Sequence, residues 1–77
     1  MKFIKDGKSY DTETAINVYY VYGEETIYIT KKGDWFSVDK TECDITLLSE
    51  EEAFAKLEKH NCAGVIKKYF PDRIEDA

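Results

Sequence analysis

The sequence predicts one small α+β domain: an antiparallel sheet made of an N-terminal hairpin plus a three-stranded meander, one short N-terminal helix, and one or two C-terminal helices packed on one face. Three observations predict it. An Asp-Gly pair stands between short apolar runs near the start, apolar and polar residues alternate with period two over 26–47, and the apolar spacing turns helical after “SEEE” at 49–52. With 77 residues there is room for one core, and folding of a chain this size buries only about 60% of the surface that the unfolded chain exposes.

Phe3 and Ile4 lead into Asp6-Gly7, a pair suited to a type I′ turn because glycine takes positive φ freely and Asp tolerates it. Residues 2–5 and 8–10 are therefore expected to pair. Asp11 or Thr12 can cap a helix starting near Glu13, since a side-chain oxygen accepts from a free backbone N–H and acidic charge meets the positive end of the dipole. That helix is expected to end before Tyr19. The run “NVYYVY” at 17–22 fits either a helix continuation or a strand, and its β-branched and aromatic content favours extended structure. After a turn at 23–25, Ile27 and Ile29 alternate with Thr26, Tyr28 and Thr30, the clearest strand signal in the chain.

A turn at 32–34 leads into “WFSVDK”, where Phe36 and Val38 continue the apolar face while Trp35, Ser37 and Asp39 point the other way. In “ECDITLL”, Cys43, Ile45 and Leu47 alternate against Asp44 and Thr46, which makes a third meander strand. Ser49 then caps a helix running from about Glu50 to His60, with Glu52 completing a capping box. Its apolar stripe is Ala53, Phe54 and Leu57. A further helical segment spaces Val65, Ile66, Tyr69 and Phe70 along one face, Pro71 ends it, and residues 72–77 are expected to fray.

Sixteen acidic residues against eleven basic ones leave a net charge of −5, which disfavours direct binding to nucleic-acid phosphates or anionic lipid. No apolar run approaches the ~20 residues that span a bilayer. “MKFIKDGK” has neither an apolar h-region nor a small-residue cleavage site, so a cytoplasmic location is expected. Cys43 and Cys62, without a CxxC spacing and with His60 as the single histidine, cannot build a four-ligand zinc site within one chain and read as two buried free thiols. A nucleophile needs an activating base. Cys62 is two residues from His60, on a different side of a helix, and Cys43 is assigned to the core face of a strand. Nothing matches a calcium loop or a glycine-rich phosphate loop, and so short a chain has little mass to wall in a carboxylate pair. No catalytic residue, metal or cofactor is assigned, and the chain is expected not to be an enzyme.

What remains is local charge. Over residues 33–58, eight acidic side chains face only Lys40 and Lys56. Asp34, Asp39, Glu42, Asp44, Glu50, Glu51 and Glu52 are the candidate partner-binding carboxylates. As a continuous strip they would complement the basic groove of a nucleic-acid-binding protein; on the competing reading the three glutamates stabilise their own helix and the rest are ordinary solvated charges. Tyr28 and Trp35 are candidate interface anchors, with core packing as the equal alternative. A monomer or small homo-oligomer is expected.

“KDGKSYDTETA” (5–15), “ETIYITKKGDWF” (25–36) and “LLSEEEAFAKLEKH” (47–60) resemble, in the same order, a family of small proteins of bacteria, their phages and mobile elements. The family pattern is “INGKxYDTETA”, “ETLYxxKxGxWF” and “PLSxEEAxxWxExH”. The chain departs from it where relatives carry a longer glycine-rich insertion and it has only “SVDKTE” (37–42). The resemblance implies a setting, not an activity: small acidic proteins of this origin commonly act as stoichiometric inhibitors of host machinery, anti-CRISPR proteins and DNA mimics among them. The expected function is a non-enzymatic inhibitor in the host bacterial cytoplasm, blocking a nucleic-acid-binding enzyme such as a CRISPR effector through its acidic face. The alternative is a structural or regulatory module that binds another protein through an exposed aromatic sheet surface.

Overall fold

A computed structural model describes residues 1–75. Strands β1 (Lys2–Lys5) and β2 (Lys8–Asp11) form the expected hairpin. Asp6 and Gly7 both hold positive φ, 52° and 76°, as a two-residue type I′ turn requires. Strands β3 (Ile16–Val21), β4 (Glu25–Ile29), β5 (Trp35–Asp39) and β6 (Ile45–Leu48) form an antiparallel meander in that order. Helices α1 (Glu50–Lys59) and α2 (Ala63–Tyr69) follow, then a 3₁₀ turn at Pro71–Arg73.

The expected N-terminal helix does not form. Its cap does: the Asp11 carboxylate accepts from Glu13 N–H at 3.0 Å, and the Asp11 carbonyl accepts from Thr14 and Ala15 N–H. One turn is all that follows. A helix gains little until several residues propagate it, whereas the β-branched and aromatic residues from Ile16 onward find cross-strand partners on β4. The meander therefore has four strands where three were expected. A register shift between Asn17 and Tyr19 lets both Val18 and Tyr19 pack toward the helix-side core.

β5 also departs from expectation, because both of its faces are buried. Trp35, with Val21, Ile27 and Leu48, meets Ala53, Leu57, Ile66 and Phe70 of the helical layer. Phe36 and Val38, with Ile45, meet Tyr10 and Phe3 of the hairpin, which folds over the opposite sheet face. The molecule has three layers: hairpin, sheet, helices. The face expected to be polar is thus the one that carries the helices, with Trp35 and Ser37 buried in it.

Cys43 is exposed, not in the core, because β6 starts only at Ile45. Before it, Asp39 closes the loop by accepting from Thr41 N–H and Oγ1, and Glu42 turns the chain with a φ of 58°. Cys62 is buried, as expected.

The C-terminal layer follows its local signals. Ser49 Oγ accepts from Glu52 N–H at 3.1 Å and Glu52 Oε1 accepts from Ser49 N–H at 2.9 Å, a complete capping box. Phe70 stacks on Trp35 with ring centroids 5.5 Å apart, and Phe54 packs edge-on against Phe70. The expected fraying of 72–77 falls partly on residues 76 and 77, outside the described residues; ahead of them, the Arg73 guanidinium lies 4.4 Å from the Phe54 ring and bonds Glu51 at 2.6 Å.

Leu57 is fully buried beneath Trp35 and Phe70, so Leu57→Ala is expected to destabilise the fold by about 2–5 kcal/mol. Loss of the cap in Ser49→Ala is expected to cost about 1 kcal/mol. Urea unfolding followed by the fluorescence of Trp35, the single tryptophan, measures both.

Candidate functional site

The seven carboxylates singled out in the sequence do not come together. Asp39 ends β5 and Glu42 and Asp44 lie on the β5–β6 loop that follows it, while Glu50, Glu51 and Glu52 begin α1 at the far end of β6. The four residues of β6 put roughly 13 Å between the two groups. Asp34 belongs with the second group, since Trp35 pairs with Leu48.

Most of these carboxylates also have local partners. Asp44 pairs with Lys5 at 3.3 Å, Glu51 with Arg73, and Asp34 with Lys8 at 3.9 Å. The Ile45 N–H, then the Lys5 ammonium, hold the Asp44 carboxyl below its ordinary pKa, and the Thr41 hydroxyl does the same for Asp39. Arg73 lowers Glu51, and the Ser49 N–H lowers Glu52. Glu42 and Glu50 make no side-chain hydrogen bond or ion pair among the described residues.

A polar cluster lies between β3, β4 and the helices. The Glu25 carboxylate receives Lys56 Nζ at 2.8 Å. Burial raises its pKa, but the Lys56 bond, the Ser37 hydroxyl and the charges of Lys56 and His60 together hold it below the ordinary value. Next to this pair, the Tyr19 ring stacks over His60 at 6.0 Å, and the neighbouring Cys62 thiol raises the Tyr19 phenol. The Cys62 thiol donates to the His60 carbonyl oxygen at 3.7 Å. Its neighbours are thus a phenol and a carbonyl, and the cluster acts as a latch that ties the sheet to α1. Among the described residues no group of three His, Cys, Asp or Glu side chains is placed to hold a metal ion, and no helix is long and apolar enough to cross a membrane.

The aromatic candidates divide as well. Trp35 is 4% exposed and belongs to the core, while Tyr28 is half-buried and stacks on Phe36 at 5.2 Å. The exposed rings are two that sequence reasoning did not single out. Tyr20 is 56% and Tyr22 90% exposed, and they meet edge to face at 6.2 Å. Tyr20 pairs with Thr26 across β3–β4, one residue on from the helix-facing pair of Tyr19 and Ile27, so it projects from the hairpin side of the sheet. The hairpin covers β5 and β6 on that side, through Tyr10, and leaves the β3 end open. A usable signal was present: residues 16–22 carry no charge in a chain that is 35% charged.

Comparison with protein families, with curated proteins and with solved structures returns no match for this chain.

Glu51, Glu52, Asp39 and Asp44 titrate below their ordinary values in the folded chain, so near and below those values the unfolded state binds more protons. Their stabilisation is complete above the ordinary carboxylate range, around pH 4, and disappears as pH falls through the lowered folded values. Thermal melts in a pH series are expected to be flat from about pH 7 to 5 and to decline below about pH 4. Glu51→Gln removes one of these carboxyls, and its decline is expected to be shallower.

Proposed function

We propose that this chain is a non-enzymatic protein-interaction module whose contact surface is the open aromatic end of the sheet, centred on Tyr20 and Tyr22. The observation that carries the reading is the pairing of two exposed tyrosine rings, Tyr20 on an edge strand that bears no charge and Tyr22 at the start of the turn that follows it, in a protein of net charge −5. Burying tyrosine at an interface removes apolar ring surface from water while the hydroxyl stays paired, and no ion has to be desolvated. The outer backbone edge of β3, which has no neighbouring strand among the described residues, adds donors and acceptors. In the setting implied by the family resemblance, the partner is a component of host machinery.

Inhibition through a DNA-like acidic face is the second reading, and its support is Glu42, without an ion pair among the described residues, on the β5–β6 loop between Asp39 at the end of β5 and Asp44. It has less behind it because the carboxylates stand at two ends of β6 and most already serve intramolecular contacts.

The two readings predict opposite results in a pull-down from host extract read by mass spectrometry. Tyr20→Ser with Tyr22→Ser is expected to lose the partner while circular dichroism and melting stay near wild type. Asp39→Lys with Glu42→Lys is expected to retain it. Loss of the partner only in the charge-reversal variant would move the contact surface to the acidic loop.

A further inference from the structure

A second surface, separate from the tyrosine patch, carries its own inference. A groove of about 580 Å³ runs between the outer edge of β2 and the β4–β5 turn. Its first wall is lined by the consecutive residues 7–11. Side chains alternate between the faces of a strand, so an unbroken run of lining residues means that the strand presents its edge. Lys5 and Lys8 close the two-residue turn as a hydrogen-bonded pair. By the alternation of antiparallel pairing, Ser9 and Asp11 then turn their peptide groups away from β1. The surrounding bonds agree: the Asp11 carbonyl accepts from Thr14 and Ala15, and the next residue, Thr12, donates its N–H to the Met1 carbonyl. The Ser9 N–H and C=O and the Asp11 N–H therefore face the groove.

Its charge opposes that of the whole protein. Lys2, Lys8, Lys31 and Lys32 line it against Asp11 and Asp34, and Lys8 already offsets Asp34 at 3.9 Å. Lys31 and Lys32 stand exposed on the opposite wall.

We propose that this groove binds an extended acidic segment of a partner protein, added along β2 as a third strand of the hairpin. A strand edge presents donors and acceptors together, and a peptide answers both. A phosphate answers only the donors and is repelled by the Ser9 carbonyl. Glutamate or aspartate side chains at alternate positions of the segment reach the lysines, whereas a longer polyanion would run out of the groove onto a protein of net charge −5. Residues 7–11 match about five residues of ligand, roughly 17 Å of extended chain.

The test uses the full chain and fluorescence anisotropy with three labelled probes: an eight-residue peptide alternating Glu and Val, its Lys and Val counterpart, and a thymidine octamer. Saturable, salt-sensitive binding of the acidic peptide alone is expected. Lys31→Glu with Lys32→Glu is expected to weaken it roughly tenfold or more. Ser9→Pro, which removes an outward-facing donor and no hairpin bond, is expected to weaken it similarly. Tyr20→Ser with Tyr22→Ser is expected to bind as wild type, which separates this site from the proposed function. Amide shifts on peptide addition, expected at residues 7–11, keep the question decidable if Ser9→Pro fails to fold. Absence of acidic-peptide binding, binding unchanged in the lysine variant, preference for the octamer, or amide shifts confined to other strands would each overturn the proposal.

Discussion

Trp35 and Phe36 are neighbours in sequence and anchor opposite faces of one strand, and the rest of the structure depends on burying both. A small antiparallel sheet commonly leaves one face to water. Here the central strand is apolar on both sides, so each side needs a cover. The helices supply one through Leu57, Ile66 and Phe70, and the N-terminal hairpin supplies the other through Phe3 and Tyr10. Ser37 is buried between Trp35 and Asp39, its hydroxyl helps to hold the Glu25 carboxyl below its ordinary pKa, and among the described residues no buried side-chain polar atom is left without a partner.

Charge is used largely as fastening between these layers. Lys5 ties the hairpin to Asp44 and to the Ile45 carbonyl oxygen of β6, Lys56 ties α1 to Glu25 of β4, and Arg73 ties the C-terminal turn to Glu51 of α1. Individually the exposed pairs contribute little, but they fix where each carboxylate points. That fixing weakens the acidic-face reading: a carboxylate that helps hold the hairpin or close a capping box is less free to imitate a phosphate. The remaining chemistry of interaction then lies in backbone edges and tyrosine rings.

The strand edges of this molecule are not treated alike. β6 is four residues long, and Lys5 occupies the Ile45 carbonyl oxygen, a form of edge protection. β3 and β2 lack that protection: one presents tyrosines without charge, the other lysines beside open peptide groups. Two edges of such different chemistry suit two different contacts.

Signals of short range were legible in the sequence. Asp6-Gly7 specifies its turn through positive φ at both positions, and “SEEE” specifies its helix start through two reciprocal bonds; neither needs distant partners. The alternation of 26–47 likewise marks strands, and Pro71 ends α2. Competition and placement were not legible. The Asp11 cap lost its helix to a pairing with β4, and Trp35 turned inward because a layer some 20–35 residues later covers it. Tyr20 and Tyr22 are exposed only because the hairpin, bound over β5 and β6, stops short of β3. By itself the sequence determined where turns, caps and period-two strands lie, since those follow from neighbouring residues. Tertiary structure decided which face each strand buries and which edge stays open, because that depends on what else in the chain arrives to cover it.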